Sequence, residues 1–169
     1  ARIILMTAHR RENLGEPLRA ICRAVKRIAA DFPDVQVMYP VHPNPAVKGT
    51  VKELLGGLPR IRLLPPLEVT DLHNLMAKCF LVLTGGLQEE GPSFRKPVLV
   101  MRTETERPEA VEAGGVRVVG VEEEGIYQAV SGLLNSPEEY ASFLRNPNPY
   151  GDGNASRRIL DALARENQF

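Results

Sequence analysis

Apolar residues fall along the chain in two alternating rhythms. Short, mostly apolar runs at 3–6, 35–39, 61–64, 80–83, 98–101 and 116–119 read as strands of a parallel sheet covered on both faces. Between them apolar positions return at helical spacing. Leu18, Ile21, Cys22, Val25, Ile28, Ala29 and Phe32 share one face of a long helix, which Pro17 opens and Pro33 ends. Val47, Val51, Leu54 and Leu55 predict a second helix, closed by Gly56-Gly57. Leu72, Leu75 and Met76 mark a short third one. The Gly85-Gly86 turn predicts a helix over 87–94, and Ile126, Val130, Leu133 and Leu134 predict another. A short helix follows Pro137, and a last one runs over about 154–165. Strands alternating with helices require right-handed crossovers. The expected fold is therefore α/β: a doubly wound, Rossmann-like parallel sheet of about six strands with helices on both faces, in one domain over 1–169.

Composition narrows the partners. The chain has 169 residues, with 21 Lys and Arg against 21 Asp and Glu. A formal net charge of zero argues against a bulk nucleic-acid or membrane-surface binder, which usually carries a basic excess. No apolar run approaches a membrane span, and no charged-then-apolar leader opens the sequence. Ala1-Arg2 leads at once into a strand, which predicts a segment of a longer protein, and two cysteines in apolar patterns fit a cytoplasmic one. Cys22 and Cys79 both sit in apolar patterns, so buried reduced thiols are expected. Three scattered histidines, His9, His42 and His73, lack metal-ligand spacing, which argues against a zinc site.

In an open parallel sheet, ligands bind beyond the carboxyl ends of the strands. The polar clusters all fall there. The first strand is followed by His9, Arg10, Arg11 and Glu12, and the second by His42 between prolines. The fourth is followed by Gly85, Gly86 and Glu90, and the fifth by Arg102 and Arg107. Two glycines let a backbone approach an anion, and a helix starting there offers unpaired N–H groups, so a diphosphate fits. A tight strand-to-helix turn without ligand is the plainer alternative. Glu90, one helical turn on, has the acceptor chemistry for ribose hydroxyls, or is an exposed helix glutamate. His9 suits acid, base or donor work, and arginine clamps phosphate at two points. A solvated loop accounts for the same cluster. His42 reads equally as a rigid-loop histidine, and His73 as surface or packing. Glu122, Glu123 and Glu124 read as a solvated charge cluster in a helix's first turn.

At these residues the sequence strongly resembles the C-terminal half of the non-hydrolysing bacterial UDP-N-acetylglucosamine 2-epimerases. The motifs are T-A-H-R-R-E-N at 7–13, Y-P-V-H-P-N-P at 39–45, G-G-L-Q-E-E at 85–90 and K-P-V-L-V-M-R at 96–102. T-E-R-P-E-A at 105–110 and N-P-Y-G-D-G at 148–153 complete the set. They occur in family order over nearly the whole chain. The resemblance implies half of a two-domain glycosyltransferase-B-type enzyme that interconverts UDP-GlcNAc and UDP-ManNAc. It eliminates UDP to leave a 2-acetamidoglucal and then adds UDP back, and no metal or nicotinamide cofactor is expected. UDP-GlcNAc also activates bacterial members, which are typically homodimers. The hydrolysing relatives, which release free ManNAc, match less closely.

Carried over by position, the resemblance gives Gly85 and Gly86 the diphosphate, Glu90 the ribose, and His9 a catalytic role. Arg10, Arg11, Glu12 and His42 are expected in the substrate or activator cleft, with Arg102 and Arg107 beside them. The last helix is expected to pack back near the partner domain. Two departures stand out. The family pattern T-D-S-G-G is shortened here, because Gly85 follows Thr84 directly, without the Asp-Ser pair. The N-terminal domain, which carries the family's catalytic carboxylates, has no counterpart in the sequence. The 169 residues alone are accordingly expected to be inactive and at best to bind UDP weakly.

Overall fold

The six strands are Arg2–Thr7 (β1), Val35–Pro40 (β2), Ile61–Leu64 (β3), Leu81–Thr84 (β4), Val98–Val100 (β5) and Val116–Val118 (β6). Each matches an apolar run of the sequence to within a residue or so. In the computed structural model, which describes residues 1–8, 11–105, 107–146 and 148–166, they form one parallel sheet ordered β3-β2-β1-β4-β5-β6. That is the doubly wound Rossmann order, in which the winding reverses between β1 and β4.

Period-two alternation divides the sheet's side chains between two cores. Ile4 and Met6 of β1 pack with Leu81, Leu83 and Leu99 under Glu16–Asp31 (α1), Pro45–Leu55 (α2) and Glu123–Asn135 (α6). Leu5 points the other way and packs with Val82, Val98 and Val100 against Met76 of Val69–Lys78 (α3) and Ala110. Helices thus cover both faces, as the alternating pattern requires.

The helices after β4 and β5 differ from expectation. The predicted helix over 87–94 is reduced to Glu90–Ser93 (α4). Gly85 and Gly86 are poor helix formers, and the amides that would start a helix are bonded elsewhere, as described below. Past α4, Arg95 takes a left-handed φ of 52°, a helix-ending conformation, just ahead of Lys96-Pro97. A short helix that periodicity did not reveal, Pro108–Glu112 (α5), starts on a proline and buries Ala110. Pro137–Leu144 (α7) and Ala155–Glu166 (α8) fall where expected. Every residue of 155–165 is exposed, including Ile159, Leu160 and Leu163 on one stripe of α8.

The acidic run at 122–124 is not merely solvated. Glu123 and Glu124 accept hydrogen bonds from Arg23 (2.9 Å) and Arg27 (2.7 Å), which tie α6 to α1. His73 packs its ring on Phe94, with centroids 5.4 Å apart. Among the described residues no helix is long and apolar enough to cross a membrane.

Both cysteines are buried, and burial pushes the Cys22 thiol up to about 12 and the Cys79 thiol up to about 11. The thiolate is the reactive form. At about pH 8 an aromatic disulfide reagent should therefore label neither thiol in the native protein and both in denaturant. Rapid labelling of the native chain would show that the core opens on the timescale of the reaction.

Candidate functional site

Four loops at the carboxyl edge of the sheet carry the predicted residues, and the buried side chains of Asn13, Thr84 and Gln88 tie down those after β1, β4 and β5. The loop after β1 contains His9 and Arg10, which lie outside the described residues. On their N-terminal side, the buried Tyr39 hydroxyl donates to the Ala8 carbonyl at 2.7 Å, and desolvation pushes this phenol well up. On their C-terminal side, Arg11–Asn13 forms a single 3-10 turn. Asn13 is buried there and donates to the Met101 carbonyl at 3.2 Å, while Glu12 meets Arg102 at 2.9 Å. The expected neighbours Glu12 and Arg102 are therefore an ion pair joining the loops after β1 and β5. Arg11 is exposed.

After β2, the Asn44 amide donates to His42 Nδ1 at 3.2 Å, and Asn44 Oδ1 caps α2 by accepting from the Ala46 amide at 2.9 Å. With Nδ1 acting as acceptor, the neutral imidazole carries its proton on Nε2. His42 is exposed at the mouth of the site rather than packed in the core.

The loop after β4 is organised by Thr84. Its fully buried Oγ1 accepts from the Gly86 amide at 2.9 Å and the Leu87 amide at 2.8 Å, and lies 2.6 Å from Thr7 Oγ1. The Gly85 amide donates to the Thr7 carbonyl at 3.1 Å. The helix N-terminus expected at the glycine pair is absent, and these amides turn inward. Gln88, also buried, accepts from the Thr105 hydroxyl at 2.6 Å, and Thr105 Oγ1 in turn accepts from the Arg107 amide at 3.0 Å. Arg107 ion-pairs with Glu89, whose carboxylate holds the guanidinium above its usual range. Glu90, half-buried, is the first residue of α4.

The expected cleft residues thus separate. His42 shares a cavity of about 170 Å³ with Thr7, Pro40, Leu67, Leu72 and Leu87. Glu12 and Arg102 line a second, more polar one of about 420 Å³ with Asn13, Pro17, Thr103 and Glu104. Arg107 lines neither and is committed to Glu89. Asn13, Tyr39, Gln88 and Thr105 stand inside the quoted motifs, yet the sequence assigns none of them a role. The available signal was weak, since a polar residue in a polar loop gives no periodicity to betray its burial. Among the described residues no three His, Cys, Asp or Glu side chains gather as a metal site needs.

A six-stranded sheet in this order, with its polar loops and cavities gathered at the carboxyl edge, defines a domain of the Rossmann-like class. The sequence model of the UDP-N-acetylglucosamine 2-epimerase family matches residues 1–164, and the chain belongs to that family. A Bacillus subtilis protein named UDP-N-acetylglucosamine 2-epimerase is 53% identical over 164 residues, covering 96% of this chain and 43% of its own length. Among solved structures, S. aureus MnaA in complex with UDP is 46% identical with a TM-score of 0.92, covering 98% of this chain and 46% of that one. The UDP-GlcNAc 2-epimerase from Neisseria meningitidis bound to UDP-GlcNAc is 41% identical with a TM-score of 0.92, covering 98% and 45%. The E. coli heptosyltransferase WaaC with ADP, at 14% identity and a TM-score of 0.59, shares the fold alone. The chain spans less than half the length of the relatives it matches. The domain is one half of a fold of the glycosyltransferase-B type.

Proposed function

We propose that this chain is the UDP-binding half of an epimerase that interconverts UDP-GlcNAc and UDP-ManNAc by eliminating UDP and adding it back. One observation carries the reading. Thr7 at the end of β1 and the loops after β2, β3 and β4 meet around the 170 Å³ cavity beside the point where the sheet reverses its winding, and a 46%-identical counterpart of this backbone was solved with UDP. In this reading Gly85 and Gly86 let the backbone come close to the diphosphate, and Glu90 accepts from the ribose hydroxyls. His9 reaches the sugar or the leaving phosphate, while Arg10, Arg11 and His42 border the cleft. The Glu12–Arg102 pair and Arg107 hold the loops in place around it.

Removing a proton from a weakly acidic sugar carbon needs a positioned base and exclusion of water. An open sheet edge supplies neither, so the second half of the cleft must come from a further domain. The exposed stripe Ile159, Leu160 and Leu163 on α8 suits the apolar face on which such a domain would rest. Homodimerisation of the whole enzyme belongs to the same reading.

Two measurements test it. The 169-residue chain should show no epimerisation of UDP-GlcNAc, and millimolar-range UDP should shift the amide resonances of 84–90 and of His42. Turnover by the chain alone would overturn the need for a second domain. A spectrum untouched by UDP would overturn the nucleotide reading and favour a non-binding folding domain, consistent with the inward-turned glycine amides. In the whole protein, UDP-ManNAc as product supports the non-hydrolysing reaction, whereas free ManNAc indicates the hydrolysing one.

A further inference from the structure

Counting hydrogens at the switch point fixes the direction of one proton. A threonine hydroxyl has one hydrogen to give and two lone pairs to receive. Thr84 Oγ1 receives the Gly86 and Leu87 amides, which uses both lone pairs. Its own hydrogen therefore goes to Thr7 Oγ1, 2.6 Å away. Thr7 then keeps its hydrogen, and among the described residues no acceptor takes it. Thr7 is 7% exposed and Thr84 is 0% exposed, so bulk water has little access to either hydroxyl. What Thr7 does border is the 170 Å³ cavity.

The position is set by the fold. Thr7 and Thr84 end β1 and β4, the two strands that flank the reversal of winding, and parallel pairing puts them in register. Hydrogen bonds in series polarise one another. The partial positive charge of two loop amides is thus passed through Thr84 to the Thr7 proton. His42 lines the same cavity. Among the described residues no carboxylate lines this cavity, and a hydroxyl donor in such a setting suits an anionic, acceptor-only oxygen.

We infer that the Thr7 hydroxyl, oriented by Thr84, is the hydrogen-bond donor that this domain presents to a phosphoryl oxygen at the sheet's switch point. The inference rests on the nucleotide reading above and assigns it a donor that is neither of the glycine amides. Thr7 acts as a binding residue and Thr84 as a positioning residue.

The test titrates the 169-residue chain with UDP and, in parallel, with uridine, following amide shifts. Thr7→Val should weaken UDP about ten- to hundredfold, the range for losing a hydrogen bond to a charged group, and leave uridine unchanged. Thr7→Ser, which keeps the hydroxyl, should bind UDP within about twofold of the parent and guards against a folding defect in Thr7→Val. The Gly86 and Leu87 amides should move downfield with UDP in the parent and not in Thr7→Val, a response that a purely structural role would not give. Equal UDP affinity in a folded Thr7→Val would overturn the inference and leave the nucleotide reading standing. So would an equal loss of UDP and uridine, which would place Thr7 at the base. A parent chain blind to UDP would overturn both.

Discussion

Inserting Asp and Ser between Thr84 and Gly85 raises the UDP affinity of this domain by about ten- to hundredfold, the worth of one charge-assisted hydrogen bond. The expectation comes from what the short loop does now. With no residue between Thr84 and the glycine pair, the Gly86 and Leu87 amides reach back to Thr84 Oγ1 at 2.9 and 2.8 Å. They saturate the nearest hydroxyl instead of facing the cavity. A longer loop moves them out of reach of Thr84 and adds a serine hydroxyl at the position where the family pattern carries one. Calorimetric titration of parent and insertion variant with UDP measures the gain. Unchanged affinity in a folded insertion variant would mean that the loop's donors do not limit binding, and that the shortened turn is only a structural variation.

Thr84→Val destabilises the domain by about 2–3 kcal/mol, although valine matches threonine in shape. The side chain is fully buried, and its hydroxyl serves three partners at once. A methyl group there leaves the Leu87 amide and the Thr7 hydroxyl without a partner in a part-buried setting, and unsatisfied buried groups cost more than a hydrogen bond gains. Gly86 is an exposed residue, so its amide can turn to water, which keeps the total below the sum of three bonds. For a chain of this size the melting temperature should fall by roughly 4–12 °C. Thr84→Ser keeps the hydroxyl and should fall much less. A melting temperature unmoved by Thr84→Val would show that the loop's amides find equal partners without it.

Much of the fold was legible because buried parallel strands must be apolar on both faces. β1, β4 and β5 could hardly be anything else, and α1 showed its buried face at every turn. The candidate site was legible as a gathering of loops, since the topology of the sheet brings those after β1, β2, β4 and β5 to one edge. It was less legible as an arrangement. Glu12 and Arg102 stand 90 positions apart and meet as an ion pair, while Arg107, expected beside them, turns to Glu89. Glu123 looked like a helix-start acid facing water and holds Arg23 on another helix.

The sequence by itself determined the strand count, the alternation of elements and the covering of both sheet faces, because hydrophobic burial leaves a periodic record in residue type, and its motifs carried the resemblance to the family. Only the tertiary structure decided that the expected helix after Gly86 shrinks to Glu90–Ser93, and that the glycine amides turn inward. Local propensity could not settle this. The competing acceptor is a hydroxyl held in place by a second threonine 77 residues earlier, and register between β1 and β4 brings the two together. Hydrogen bonds are short-ranged and directional, so their partners are chosen once the chain has folded, and residue order alone carries no trace of that choice.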